Sequence, residues 1–228
     1  MDLKRLEIIL MRHGTTPWNE EKRYLGHTDI GLSDQGREEL APVREKLCDR
    51  SFGRVYCSDL ARCRESLQEV RPDLAGEAVY DDRLREMDFG VWEGHTYDQL
   101  KDNALYRQWL DEPKRVTSPQ GESWEAFESR IAAFAAFMLQ EAESRAAGCT
   151  ENTENTENIE NTENTGSSGN KACASVLLVA HGGVIRQIVH AFMKTIAFWD
   201  IRIEPGNLLV LTLERTEEGW SGANLGDI

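Results

Sequence analysis

Two short apolar runs, each ending at a His-Gly pair, constrain the fold of this chain more than any other feature. The first, residues 6–11, is followed by Arg12 and His13, and the second, residues 175–180, is followed by His181. Short apolar runs followed by glycine and small polar residues are typical of buried strands. Because open α/β sheets bind ligands at the carboxyl ends of their strands, we expect both histidines at that edge of a sheet.

Strands and helices alternate along the rest of the chain. Further strands are predicted at residues 55–57, 78–80 and 208–213. Helices are predicted from Ser33 towards Asp49 with a kink or break at Pro42, from Ser58 or Asp59 to Pro72, over residues 97–110, from Ser123 through Met138, and after Gly183. This alternation predicts an α/β fold, a three-layer α/β/α sandwich with a mainly parallel central sheet.

A low-complexity segment interrupts this pattern. Residues 150–165 repeat Thr, Glu and Asn with one isoleucine, and residues 166–169 read Gly-Ser-Ser-Gly. Such a segment has almost nothing apolar to bury, so it is predicted to be disordered. We therefore expect a single domain over residues 1–228 that is interrupted by a disordered insertion at about 149–170.

Charge and cysteine content exclude several classes of function. The net charge of −14 argues against nucleic acids and anionic membranes as main partners. Five cysteines at irregular spacing, with no Cys-x-x-Cys pair, disfavour both a disulfide framework and a zinc site. The first apolar run is too short for a signal peptide, and no stretch approaches the length of a membrane span. We expect a cytoplasmic protein with no metal and no cofactor, and its oligomeric state is left open.

Five side chains form a candidate catalytic group if the predicted strands are parallel neighbours. Arg12 and His13 follow the first predicted strand, and His181 follows the strand at residues 175–180. Arg62 lies in the first turn of the helix that comes after the second predicted strand, residues 55–57. Glu86 lies in a loop bounded by glycines. This set suits phosphoryl transfer: His13 attacks phosphorus, the two arginines and His181 neutralise the phosphate oxygens, and Glu86 protonates the leaving alkoxide.

Several segments resemble the histidine phosphatase superfamily, also called phosphoglycerate mutase-like. They are Arg12-His13-Gly14 with Asn19, Ser58–Arg62, Leu84–Gly94 and Ala180–Gly183. Their order and spacing match over nearly the whole chain apart from the low-complexity segment. The resemblance implies the phosphoglycerate mutase-like fold, a phosphohistidine at His13 and an acid at Glu86. It also implies a phosphate pocket of Arg12, Arg62 and His181, with Asn19 as an added donor.

The substrate expectation comes from a narrower likeness. Residues 23–29 and the string Phe-Gly-x-Trp-Glu-Gly look most like α-ribazole phosphatases, which implies an α-ribazole 5′-phosphate substrate in cobalamin nucleotide-loop assembly. Asn19, Arg23 and Gly182 are predicted to bind substrate, and His27 is near the predicted entrance. Five aromatic residues could stack on a nucleoside-like base, although core packing is the commoner role: Trp92, Tyr97, Tyr106, Trp109 and Trp124.

Departures from the family pattern keep the substrate open. Thr15 stands where many relatives have Glu, Gly31 where many have Pro, and Leu25 where a polar residue is common. The main alternative is a phosphoglycerate mutase, although residues 94–121 lack the paired arginines of that group. A broad-specificity sugar phosphatase and a non-catalytic binding module remain further alternatives. The expected partner is a small phosphorylated molecule.

Overall fold

One six-stranded sheet organises the protein. The computed structural model describes residues 3–151 and 174–228. The strands are β1 Arg5–Arg12, β2 Arg54–Ser58, β3 Val79–Asp81, β4 Ser175–Ala180, β5 Leu208–Thr216 and β6 Gly219–Gly226. Their order is β3-β2-β4-β1-β5-β6. The first four are parallel to one another, whereas β5 and β6 pair antiparallel, so the predicted mainly parallel sheet is confirmed.

Helices lie on both sides of this sheet. They are α1 Pro17–Glu20, α2 Asp34–Glu38, α3 Ala41–Leu47, α4 Ala61–Val70, α5 Pro72–Ala75, α6 Tyr97–Leu100, α7 Ala104–Asp111, α8 Trp124–Glu151 and α9 Gly182–Phe192. Short 3₁₀ turns cover Asp82–Leu84, Gly90–Trp92 and Phe198–Asp200. Within the described part of the chain, none of the helices is long and apolar enough to cross a membrane.

Both faces of the central strands are buried, which gives the predicted three layers. Along β1, the side chains of Ile8 and Leu10 pack against α8 and α9. Ile9 and Met11 pack on the opposite face against α3 and α4. Strands covered on both faces read as continuous apolar runs, which is the pattern of β1 and β4.

Two predicted helices are divided in the structure. The helix expected from Ser33 towards Asp49 forms α2 and α3, with Pro42 in the first turn of α3, so the predicted break is confirmed. The prediction of a single helix over residues 97–110 was wrong. This stretch forms α6 and α7 because Asn103 starts a new helix, its carboxamide oxygen accepting from the Leu105 and Tyr106 amides at 3.0 and 3.1 Å.

Two further expectations need correction. The cap of α4 is not Ser58 or Asp59: Leu60 occupies the N-cap position, and the Ala61 amide donates to the carboxylate of Asp29 at 2.6 Å. The carboxylate of Asp59 is instead paired with Arg85. Strand β6 was missed because Gly219–Gly226 lacks an apolar run and forms a strand only by pairing with β5.

The predicted insertion at about 149–170 begins inside α8, which extends to Glu151. From residue 152 onward it lies outside the described residues.

Candidate active site

The carboxyl ends of β1 and β4 bring the two histidines of the motifs together. Arg12 is in register with Ala180, and the His13 amide donates to the Ala180 carbonyl at 3.0 Å. The rings of His13 and His181 lie with their centroids 5.1 Å apart at an interplanar angle of 63°. Both side chains are buried, so a ligand that reaches them is largely removed from water.

Hydrogen bonding defines the protonation of His13. Its Nδ1 lies 2.8 Å from the Gly14 carbonyl oxygen. A carbonyl can only accept, so this contact assigns the proton to Nδ1 and leaves a lone pair on Nε2. Burial lowers the pKa of His13 well below its ordinary value, and the cations Arg62 and Arg12 lower it further. The ring is therefore neutral at pH 7 and can act as a nucleophile.

Arg62 is a fully buried cation beside these rings. Its Nη atoms donate to the carbonyls of Gly26 at 2.6 Å and Thr28 at 3.0 Å, and its Nε donates to His181 Nδ1 at 3.2 Å. Burial lowers the pKa of Arg62, but an arginine side chain stays charged in proteins. Three of its five N–H donors are used in these bonds, which leaves two for an anion.

His181 is held between two partners. Because Nδ1 accepts from Arg62, the proton of the neutral ring is on Nε2, which donates to Ser58 Oγ at 2.9 Å. Burial lowers the pKa of His181 well below its ordinary value, and the charge of Arg62 adds to this effect. Both ring nitrogens are thus engaged within the protein. The predicted contact between His181 and phosphate stays a prediction, and in this orientation the ring positions Arg62.

Arg12 supplies a second, partly buried guanidinium. Its Nη1 donates to the Ile203 carbonyl at 2.7 Å, whereas its Nε is buried without a hydrogen-bond partner among the described residues. An unsatisfied buried donor costs about 1–3 kcal/mol, so an anionic oxygen at this point would be stabilising. Gly182 lies against the same guanidinium, since a Cβ added there would be 3.4 Å from Arg12 Cζ.

Glu86 reaches the site from the loop after β3. One carboxylate oxygen accepts from the Gly183 amide at 2.9 Å, and the other accepts from the Met87 amide at 3.0 Å. Gly183 is in the first turn of α9, so its N–H has no partner within the helix and is free to donate to Glu86. Only glycine fits here without displacing the carboxylate, because a Cβ at this position would lie 2.3 Å from Glu86 Oε1.

An aromatic cavity of about 210 Å³ opens beside Glu86. Glu86 and Gly183 form part of its wall, and Arg186 is its basic lining residue. The aromatic lining residues are Tyr24, Phe89, Trp109, Trp124, Phe127, Phe198 and Trp199. Of the five aromatic residues predicted to stack on a base, Trp109 and Trp124 are in this wall, and no sequence motif pointed to Phe198 or Trp199.

The other three predicted aromatics lie elsewhere. Trp92 and Tyr106 are buried in a separate cluster with Leu100, which is the core-packing role. The side chain of Tyr97 is exposed on α6, away from the aromatic cavity. These three side chains therefore lie outside the cavity wall.

The predicted substrate-binding residues of the first loop have structural partners. The Asn19 carboxamide oxygen accepts from the Thr16 amide at 3.1 Å and forms the capping box of α1. Arg23 is paired with Glu21 and donates to the Gly94 carbonyl. His27 points towards Asp88, with Nδ1 3.7 Å from a carboxylate oxygen. Substrate contacts for these residues stay predictions.

One supporting side chain was missed by the sequence reasoning. The Ser66 hydroxyl, fully buried on α4, accepts from the Gly14 amide at 3.0 Å and donates to the Arg62 carbonyl at 2.6 Å. It ties the turn that carries His13 to the helix that carries Arg62. A serine in the middle of a helix gives no local sequence signal for such a role.

The arrangement combines a neutral imidazole with a free Nε2, the buried guanidinium of Arg62, the partly buried guanidinium of Arg12 and a carboxyl group at the edge of an apolar cavity. These groups can attack an electrophilic centre, neutralise anionic oxygens and exchange a proton with a leaving group. Among the side chains of residues 3–148 and 174–228, no group of three or more His, Cys, Asp or Glu could hold a metal ion.

Comparisons with known proteins agree with this chemistry. The model of the histidine phosphatase superfamily (branch 1) matches residues 8–151. "Probable phosphoglycerate mutase GpmB" of Salmonella choleraesuis (strain SC-B67) is 31% identical over 137 residues, 59% of this chain and 64% of that protein. "Phosphoserine phosphatase 1" of Hydrogenobacter thermophilus is 28% identical over 142 residues, 61% of this chain and 65% of that protein. The matches thus span less than two thirds of these relatives.

A solved structure shows the same fold. The alpha-ribazole phosphatase from Shigella flexneri superposes with a TM-score of 0.71 at 22% identity, covering 96% of each chain.

Proposed function

Because the chain belongs to the histidine phosphatase superfamily (branch 1), we propose that it is a phosphomonoesterase that works through a phosphohistidine at His13. The observation that carries the proposal is the His13 ring itself. Its Nδ1 proton is held by the Gly14 carbonyl, its Nε2 is unprotonated, and the buried Arg62 and the partly buried Arg12 lie beside it.

The first half of the reaction forms the phosphohistidine. His13 Nε2 attacks phosphorus, the bond from phosphorus to the ester oxygen breaks, and Glu86 gives its proton to the leaving oxygen. Arg12 and Arg62 neutralise the oxygens of the phosphoryl group in transfer, which is most of the catalytic task in such reactions.

The second half returns the enzyme to its starting state. Water attacks the phosphohistidine, the bond from phosphorus to Nε2 breaks, and the Glu86 carboxylate accepts the proton of the water. Inorganic phosphate leaves, and Glu86 is protonated again for the next cycle.

The finer proposal is that α-ribazole 5′-phosphate is the substrate, as a step of cobalamin nucleotide-loop assembly in the cytoplasm. The aromatic cavity beside Glu86 supports it, because the leaving group of this ester carries an aromatic base that can stack on Trp or Tyr rings. The fold shared with the Shigella flexneri enzyme is compatible with it.

The test compares kcat/KM of the full chain on α-ribazole 5′-phosphate and p-nitrophenyl phosphate, in the presence of EDTA. We expect release of inorganic phosphate from both esters, a clear preference for the first, and inhibition by vanadate. His13→Ala should abolish turnover and the acid-labile phosphoenzyme. Equal efficiency on the two esters would exclude α-ribazole 5′-phosphate as the preferred substrate. Activity retained by His13→Ala would overturn the phosphohistidine mechanism.

A phosphoglycerate mutase is the second candidate. The match to the relative named GpmB favours it, and so does Arg186, a cation in the cavity wall that could pair with a carboxylate. Against it, residues 94–121 carry no paired arginines, and Arg115 is exposed and paired with Glu112. Coupled assay of 3-phosphoglycerate conversion separates the two: interconversion faster than phosphate release would favour the mutase.

A further inference from the structure

We propose that Arg130 of α8 is a positioning residue that fixes the loop carrying Glu86, and thereby sets how well Glu86 protonates the leaving group. The proposal rests on the proposed function of Glu86. Arg130 does not touch the reacting atoms; it acts through the backbone of the segment that precedes and includes the acid.

Arg130 uses all five of its N–H donors in this task. Its Nη1 donates to the carbonyls of Arg83 at 2.7 Å and Arg85 at 2.6 Å, and its Nη2 donates to the Glu86 carbonyl at 2.9 Å. The remaining two donors form a two-point pair with Glu122, at 2.7 and 2.8 Å. A guanidinium with five satisfied donors has none left for substrate, so a direct phosphate contact is not its role.

The surroundings make this clamp rigid. The side chains of Arg130 and Glu122 are only 17% and 13% exposed. The guanidinium carbon lies 4.8 Å from the centre of the Phe127 ring. The Glu122 amide also donates to the Asp88 carbonyl at 2.9 Å, so the same unit holds the loop on the far side of Glu86.

Placement of the acid depends on two sets of contacts. The carboxylate of Glu86 is fixed from the front by the amides of Gly183 and Met87, whereas its backbone is fixed from behind by Arg130. A general acid works only within hydrogen-bond reach of the leaving oxygen, and a misplacement of about 1 Å can cost about 100-fold in rate. Loosening the backbone around Glu86 should therefore slow protonation of the leaving oxygen without affecting how phosphate is bound.

The experiment replaces Arg130 by Lys, which keeps the charge and cannot reach five acceptors. We measure kcat/KM on benzyl phosphate, whose alkoxide must be protonated as it leaves, and on p-nitrophenyl phosphate, whose phenolate leaves without help. Both esters carry an aromatic ring, and kcat/KM reports formation of the phosphoenzyme. We expect the ratio of benzyl to p-nitrophenyl efficiency to fall at least about tenfold relative to the unmodified protein.

Two further variants complete the design. Glu86→Gln gives the ratio of benzyl to p-nitrophenyl efficiency when the acid is lost completely. The double variant Glu86→Gln/Arg130→Lys should show the same ratio as Glu86→Gln alone. Arg215→Lys is the matched control, because Arg215, like Arg130, pairs with a carboxylate and packs near an aromatic ring: its partner is Glu143, and it lies 5.9 Å from the centre of the Trp220 ring. It should leave both efficiencies unchanged. Circular dichroism compares the folding of each variant.

Two results would overturn the proposal. If Arg130→Lys lowers both efficiencies by the same factor, Arg130 stabilises the fold without acting on the acid. If it changes neither, the clamp is unnecessary. Failure of the proposed function is a separate outcome, since the unmodified protein would then hydrolyse neither ester.

Discussion

The candidate site has two halves that are built in different ways. The phosphate half, named for the role proposed for Arg12, His13, Arg62 and His181, is formed at the ends of β1 and β4 and the start of α4. The leaving-group half consists of Glu86 and the aromatic cavity, whose wall includes loop residues and the 3₁₀ turn Phe198–Asp200. The two histidines and Arg62 are buried in the protein, whereas the cavity wall includes Trp199, which is 58% exposed.

This difference separates chemistry from specificity. Every phosphomonoester presents the same phosphate, so the half that binds it can be rigid and buried. Leaving groups differ, and the loop residues and the 3₁₀ turn in the cavity wall can change with little effect on the sheet. A change in the phosphate half should therefore affect all esters alike, whereas a change in the other half should affect esters selectively.

Arg62→Lys gives the largest expected effect and the strongest test of this division. Lysine cannot reach the Gly26 carbonyl, the Thr28 carbonyl and His181 together, so the cation loses its fixed position. We expect kcat/KM to fall about 100- to 1,000-fold, as for loss of one transition-state donor, and by the same factor for benzyl and p-nitrophenyl phosphate. If the loss differs between the two esters, Arg62 also acts on the leaving group, and the site does not divide into a phosphate half and a leaving-group half.

The buried histidines give a smaller effect that is specific to the phosphate half. In the folded protein the pKa values of His13 and His181 lie well below 6.5, their ordinary value, because of burial and the nearby arginines. Below pH 6.5 the unfolded chain therefore binds protons that the folded protein does not. Their contribution to stability is fully present above pH 6.5 and is lost as the pH falls towards the folded pKa values, at up to about 1.4 kcal/mol per pH unit for each ring.

Urea denaturation at several pH values between about 7.5 and 5.5 checks this dependence. His181→Asn should reduce the loss of unfolding free energy over this window, and the exposed histidine variant His95→Asn should not. If the unfolding free energy of His181→Asn depends on pH as steeply as that of the unmodified protein, the buried His181 ring accepts a proton in the folded state.

The same division explains what could be predicted from the sequence. His13, Arg62 and His181 closely follow short apolar runs, and the ends of neighbouring parallel strands meet at one edge of a sheet. Their approach in space therefore follows from the strand pattern. The protonation of each ring does not, because it depends on single contacts such as that between Ser58 and His181.

The leaving-group half could be predicted only in part. Glu86 was found through the loop motif, but the clamp from Arg130 and the contribution of Trp199 join segments far apart in the chain. Aromatic residues near a site in sequence were a poor guide, because Trp92 packs in a separate buried cluster. Strand β6 was missed for a similar reason: its residues form a strand by pairing rather than by their own pattern.

Trp199→Ala gives the smallest expected effect and sharpens the comparison from the other half. Its ring packs on Phe198 with centroids 4.6 Å apart and lines the cavity beside Glu86. Loss of one aromatic contact should raise KM for 1-naphthyl phosphate about two- to tenfold, with little change for glycerol phosphate. Tyr97→Ala is the matched control, since Tyr97 is 56% exposed but lies outside this cavity, and it should change neither KM. If Trp199→Ala raises both KM values equally, the cavity does not select the leaving group, and specificity must come from the phosphate half.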